Sequence, residues 1–169
     1  QVDQQVNTTN GRSYGNTPRF FLHQKLDHYD LHDDDDDKKT WTQRYYAERK
    51  YFRGPGHPIF LEIGGEGGLD MGMFSPFVEQ VLADKFGAYV LHPEHRFYGI
   101  SLPIVNATVD ELVQYLTPGQ ALRDMLAIAQ FYQDKLGCSD DKSSDFYCPI
   151  MTIGGSYPGF LSAMARMHY

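Results

Sequence analysis

The stretch YCPIMTIGGSYPG, residues 147–159, decides how this chain is read. Its first seven residues are mostly apolar and halt at paired glycines, the signature of a strand buried on both faces of a parallel sheet. FLSAMARMH, residues 160–168, then has helical spacing. A strand, a tight serine turn and a helix form the context in which a serine hydroxyl is thrust out of the carboxyl edge of a sheet by a strained backbone. Strand and helix cross closely there, so neighbouring positions must be small. Gly154, two residues before Ser156, meets that need. Two residues after it stands Pro158, with Gly159 one further on. Proline is tolerated in a first helical turn, where its missing N–H has no intrahelical role. Ser156 is therefore the candidate nucleophile. The N–H of Tyr157, at the positive end of the following helix, is the first candidate donor to a developing oxyanion.

Upstream, PIFLEI (58–63) and AYVLH (88–92) are short, nearly continuous apolar runs and read as two more buried strands. PIFLEI stops at GGEGG (64–68), whose glycines let backbone approach a substrate; Gly65 is the second candidate oxyanion donor, although the same residues suit a plain sharp turn. Between the two strands, Ser75 caps and Pro76 opens a predicted helix, with Phe77, Val78, Val81, Leu82 and Phe86 on one face and Gly87 as its stop. A stronger helix is predicted from Thr117. Thr117 and Gln120 have the spacing of a capping box, and Pro118 takes the first helical position. Ala121, Leu122, Met125, Leu126, Ala129, Tyr132 and Leu136 form its apolar face, and Gly137 ends it. Alternating strands and helices imply right-handed crossovers and a parallel sheet covered on both sides.

The first third is different. Residues 1–19 read as a flexible polar leader. FFLHQKLDHY (20–29) suits an edge strand, and TWTQRYYAERKYF (40–52) a strand paired with it, ended by the turn at Gly54-Pro55-Gly56. Between them LHDDDDDKK is too densely charged to pack and reads as a solvated hairpin tip, in preference to a processing site at Asp34–Lys38.

The net charge is −7, but Asp33–Asp37 supply five of those charges, which leaves −2 elsewhere. No basic stripe points to nucleic acid. No apolar stretch approaches the roughly 18 residues of a membrane span. Asn7-Thr8-Thr9 and Asn106-Ala107-Thr108 fit the glycan acceptor pattern, and Cys138 and Cys148, ten positions apart, suit one disulfide. These features favour an oxidising secretory compartment, with a signal peptide already removed.

Six stretches together carry a resemblance: FLHQKLDHYD (21–30), TWTQRYY (40–46), IFLEIGGEGG (59–68), EHRFYGISLP (94–103), YLTPGQALRD (115–124) and GGSYPG (154–159). In order and in register, from about Phe20 to Tyr169, the set resembles the prolyl-specific serine peptidases, peptidase family S28. The resemblance implies an α/β-hydrolase fold, cleavage of peptide substrates next to proline near a chain terminus, a Ser–Asp–His triad, no metal and no organic cofactor. It implies secretory residence, lysosomal, vacuolar or extracellular, and a homodimer is open to the intact protein. By position, Ser156 is the nucleophile and Tyr157 the residue after it. His92-Pro93 and Ile100 depart from the family pattern at positions without a catalytic role.

The partners of Ser156 are harder to place. Order in such hydrolases runs serine, acid, histidine. His95 precedes the serine, and its neighbours Glu94 and Arg96 suggest ion-paired support for loops. His168 lies twelve residues down the helix that Ser156 would start. Glu66 and Asp124 read as structural or substrate-contacting, with Glu66 the weak candidate for substrate binding. Residues 20–169 are thus expected to be the N-terminal part of an α/β-hydrolase catalytic domain, lacking the cap domain and the C-terminal part. Without a base the serine stays protonated and the piece alone is inactive. A lipase or esterase of the same fold, and a non-catalytic binding protein, are the competing readings.

Overall fold

A computed structural model describes residues 17–30, 40–72 and 75–169. The polar leader, the glycan acceptor at Asn7 and the aspartate run with its processing motif lie almost wholly or entirely outside the described residues; Arg19, assigned to the leader, already belongs to the first strand.

Five strands form one mixed sheet in the order β1-β2-β4-β3-β5. β1 (Arg19–Lys25) and β2 (Thr40–Glu48) are the expected antiparallel hairpin, with an irregularity between Phe21 and Gln24. β2 also pairs antiparallel with β4 (Tyr89–Pro93). β3 (Ile59–Glu62) runs parallel to β4 on one side and to β5 (Ile150–Ile153) on the other. Crossovers carrying helices connect these parallel strands, as parallel neighbours require.

Alternation along the strands divides the core in two. Tyr45, Ala47, Ile59, Leu61, Tyr89 and Leu91 point to the face covered by α3 (Pro118–Lys135) and α4 (Ser156–His168), where Leu122, Met125, Ile128, Ala129, Tyr132 and Leu161 meet them. Tyr46, Phe60 and Val90 point to the other face, against Val78, Ala83 and Ala88. All four residues of β3 are buried, as its apolar run predicts. β5 differs from its expectation. It is the last strand of the described sheet and only half-buried, with Met151 49 % exposed.

The crossover between β3 and β4 departs further. It begins as a π-helical segment, Phe77–Leu82, and becomes α1 only over Ala83–Phe86. The widened winding rotates side chains off the 3.6-residue stripe. Of the predicted face Val78 is buried and Leu82 partly so, whereas Phe77, Val81 and Phe86 are exposed. The Ser75 side chain makes no cap bond; Glu79 instead reaches back to accept from the Ser75 N–H at 2.7 Å. Gly87, at φ 65°, terminates the segment.

α3 starts where expected, with the Thr117 hydroxyl accepting from the Gln120 N–H. The capping box is only half made, because the Gln120 amide turns to the hairpin: it donates to Asp27 and accepts from the His28 N–H at 2.9 Å. A complete capping box stands at Thr108 and Glu111, opening α2 (Val109–Tyr115). No buried residue on α2 marks it in the sequence. Cys138, just past α3, is bonded to Cys148, just before β5, and Cys148 is fully buried.

Candidate active site

Ser156 stands at the first position of α4, three residues after β5. Gly155, extended at φ −124° and ψ 156°, precedes it, and Ser156 itself has φ 56°. A left-handed backbone at a non-glycine residue costs on the order of 1–3 kcal/mol and persists only when surroundings enforce it. Here the enforcement is steric. A Cβ at Gly154 would lie 2.5 Å from the Pro158 carbonyl group, so strand and helix meet with no room for a side chain. On the other side, a Cβ at Gly65 would lie 2.9 Å from Pro158 Cγ, which puts the loop after β3 directly against the first turn of α4. Pro158 loses nothing there, since the first four N–H groups of a helix have no intrahelical acceptor. Ser156 is exposed, at the carboxyl edge of the parallel strands.

Among the described residues, no histidine or carboxylate hydrogen-bonds the Ser156 hydroxyl. Glu66 is exposed in the loop beside the elbow, and its charge helps to raise the Tyr157 pKa. His168 sits at the far end of α4, about 18 Å along the axis at 1.5 Å per residue. Asn106 is exposed in a turn at φ 59°.

His95 has a different partner from Ser156. It is buried, and its Nε2 lies 3.0 Å from the Tyr157 hydroxyl. Its Nδ1 lies 2.8 Å from the Arg96 carbonyl, an acceptor only, so Nδ1 carries the proton. Burial, with the Arg96 charge as a lesser cause, lowers the His95 pKa and keeps the ring neutral. Nε2 is then bare and accepts from the Tyr157 hydroxyl. Burial pushes the Tyr157 pKa up to about 12, so that hydroxyl keeps its proton.

The residues flanking His95 are fixed by charge. Glu94 is fully buried and accepts from Arg44, from the Ser101 hydroxyl at 2.6 Å, and from the N–H groups of Leu69 and Ile100 at 2.8 and 3.2 Å. It thereby ties the loop after β3 to the loop after β4. Arg96, also fully buried, forks onto both oxygens of Asp124 at 2.6 and 2.8 Å. Its remaining donors reach the carbonyls of Lys25, Leu26 and Tyr115 at 2.9–3.1 Å. Asp124 lies 2.7 Å from His28 as well. Asp124 is therefore a structural anchor on α3, and the ion-paired loop support expected at Glu94 and Arg96 is present. The Arg44 and His28 partners were not legible, since each lies far away in sequence.

Among the described residues no group of histidine, cysteine and carboxylate side chains is arranged to hold a metal, and no helix is long and apolar enough to cross a membrane.

Comparison with known proteins agrees with this architecture. The chain is 37 % identical over 167 residues to the probable serine protease EDA2 of Arabidopsis thaliana, covering 96 % of this chain and 32 % of that protein. It is 36 % identical over 149 residues to the mouse thymus-specific serine protease, covering 88 % and 27 %. It is 30 % identical over 151 residues to the lysosomal Pro-X carboxypeptidase of Pongo abelii, covering 88 % and 28 %. The chain thus spans between about a quarter and a third of the length of these curated relatives. The sequence model of the serine carboxypeptidase S28 family, an α/β-hydrolase family, matches residues 24–169. With more than four-fifths of its residues inside that match, and the serine turn among them, the chain belongs to the S28 family of serine peptidases.

Proposed function

We propose that this chain supplies the nucleophile of a serine exopeptidase that cleaves peptides next to proline. One observation carries the reading: Ser156 is exposed in a left-handed, sterically enforced turn between β5 and α4. In the proposed reaction the Ser156 oxygen attacks the scissile carbonyl while a general base takes its proton. The N–H groups of Tyr157 and Gly65 receive the oxyanion, the base returns the proton to the leaving amine as the C–N bond breaks, and water, deprotonated by the same base, then hydrolyses the acyl-enzyme. The contact of Gly65 with Pro158 supports this assignment, because it brings the loop after β3 to the elbow. Glu66, exposed in the same loop, is the proposed substrate contact. The base and its acid come from polypeptide beyond these residues, and residues 20–169 alone turn nothing over.

Cleavage next to proline is proposed on the strength of the relative named Pro-X carboxypeptidase. The lysosomal relative and the Cys138–Cys148 bond together support residence in the secretory pathway, with a glycan at Asn106. The test uses the intact protein and a fluorophosphonate probe. Ser156 becomes labelled, the Ser156→Ala variant does not, and proline-containing peptide amides are turned over in preference to acyl esters. Equal labelling of both proteins overturns the proposal, and preference for esters overturns its substrate class.

A further inference from the structure

Tyr157 joins the serine turn to the braced loop after β4. It follows Ser156 directly, its ring packs partly into the core beside α3, and its hydroxyl ends on His95 Nε2 at 3.0 Å. The His95 ring lies edge-on to Tyr98 at 5.3 Å and tilted against Tyr157 at 5.6 Å, so it is held on its faces as well as at both nitrogens. Glu94 and Arg96, on either side of it, are fully buried and saturated with hydrogen bonds. A rotation of the imidazole would break its bond to the Arg96 carbonyl, and a shift of its backbone would break the ion pair to Asp124. His95 is thus a fixed point in the molecule, and Tyr157 is fastened to it.

We propose that His95 is a positioning residue for the elbow: it accepts the Tyr157 hydroxyl and so fixes the peptide unit that joins Ser156 to Tyr157, whose N–H is the oxyanion donor. This inference rests on the reading of Ser156 as nucleophile and adds a role that the reading does not require. A left-handed residue at the first position of a helix has little to hold it from its own side chain. Steric exclusion at Gly154 limits where the turn can go, but it does not set the direction of the Tyr157 N–H. A hydrogen bond at the end of a long rigid ring does set it, because the ring has only two torsions and both are fixed by packing and by the acceptor. The tautomer matters for the same reason. With Nδ1–H committed to a carbonyl, the neutral ring offers an acceptor at Nε2 and nothing else.

The experiment measures the second-order rate of Ser156 phosphonylation by a fluorophosphonate in the intact protein, together with the 15N resonances of His95. Tyr157→Phe keeps the ring and removes the bond. It is expected to slow labelling about tenfold, because the misdirected Tyr157 N–H weakens one oxyanion hydrogen bond in the transition state, and to lower the thermal midpoint by about 2–4 °C, because His95 Nε2 is left unpaired. His95→Ala slows it by the same factor, the double variant is no slower than either, and His95→Gln, which restores an acceptor, recovers part of the rate. In the 15N spectrum His95 shows a protonated Nδ1 and a bare, hydrogen-bonded Nε2, and the Nε2 resonance moves in Tyr157→Phe. Wild-type protein that labels at Ser156 together with a Tyr157→Phe variant that labels equally fast overturns the positioning role alone. Losses that multiply in the double variant do the same. Wild-type protein labelled no better than Ser156→Ala overturns the nucleophile, and this role with it. Should His95→Ala fail to fold, the Tyr157→Phe rate and the 15N shifts still decide.

Discussion

Glu62 ends β3 and His92 is the last residue but one of β4, both on the face opposite α3. Their side chains approach to 3.4 Å without aligning as a hydrogen bond, and Nδ1 of His92 has no hydrogen-bond partner among the described residues. Burial, with the charge of nearby Glu79 second, outweighs the Ser75 hydroxyl and raises the Glu62 pKa from 4.5 to about 7. Burial lowers that of His92 from 6.5 to about 4. The signs oppose. Glu62 is protonated when folded and ionised when unfolded between about pH 4.5 and 7, so its contribution to stability falls as pH rises through that window. His92 is neutral when folded and protonated when unfolded between about pH 4 and 6.5, so its contribution falls as pH falls. Where the windows overlap the two slopes nearly cancel. Glu62→Gln removes one of them. The variant is expected to exceed wild type by roughly 3 kcal/mol at pH 8, where wild type buries a charge, and to lose stability between pH 6.5 and 4, where wild type is nearly flat. Urea unfolding at a series of pH values measures both, and parallel pH profiles for the two proteins would refute the assignment.

At the scale of elements, what the sequence disclosed followed from local pattern, and what it hid followed from distance or from exposure. PIFLEI, AYVLH and YCPIMTI are apolar runs and became β3, β4 and β5; Thr117-Pro118 opened α3 on the expected residue. α2 went unseen because its valines face outward, with Val109 and Val113 about three-quarters exposed; its capping box and the Arg96 bond to the Tyr115 carbonyl hold it. The π-helical start of the β3–β4 crossover has no signature in an α-helical period. The bonds that hold the candidate site join residues 28, 50, 62 and 96 positions apart, and no local periodicity records pairs of that kind. The left-handed serine was legible because its neighbours had to be small. One cross-element tie was legible as well. The Cys138–Cys148 bond joins the end of α3 to the start of β5, where Gln133 Nε2 also donates to the Cys148 carbonyl at 2.6 Å. Replacing both cysteines with serine is expected to lower stability by about 3 kcal/mol, the value for closing so short a loop. Differential scanning calorimetry with and without reductant would show it. A reductant that leaves the midpoint where it was would contradict it.

For the whole molecule the decisive feature is the asymmetry of the sheet. β1, at one edge, has its ladder broken by an irregularity, whereas β5, at the other, pairs on one side only among the described residues and flanks a groove of about 910 Å³ lined by Leu126, Met151, Thr152, Ser162 and Ala165. An open strand of this kind recruits another. Residues 1–169 prepared as an isolated polypeptide are expected to self-associate in the micromolar range, and Met151→Lys, which sets a charge on the exposed face of β5, to shift the distribution toward monomer. Sedimentation velocity at several concentrations reads this directly; a monomer at all of them would show that the edge is protected. The sheet also has a direction in time. His95, Arg96, Asp124 and the GGEGG loop all precede position 156 in the sequence, and β5 joins a platform that four earlier strands have already made. During synthesis, at about 5–20 residues per second, the nascent chain emerges with its scaffolding first. The Ser156 hydroxyl leaves the ribosome only when the parts that will constrain it have already been delivered.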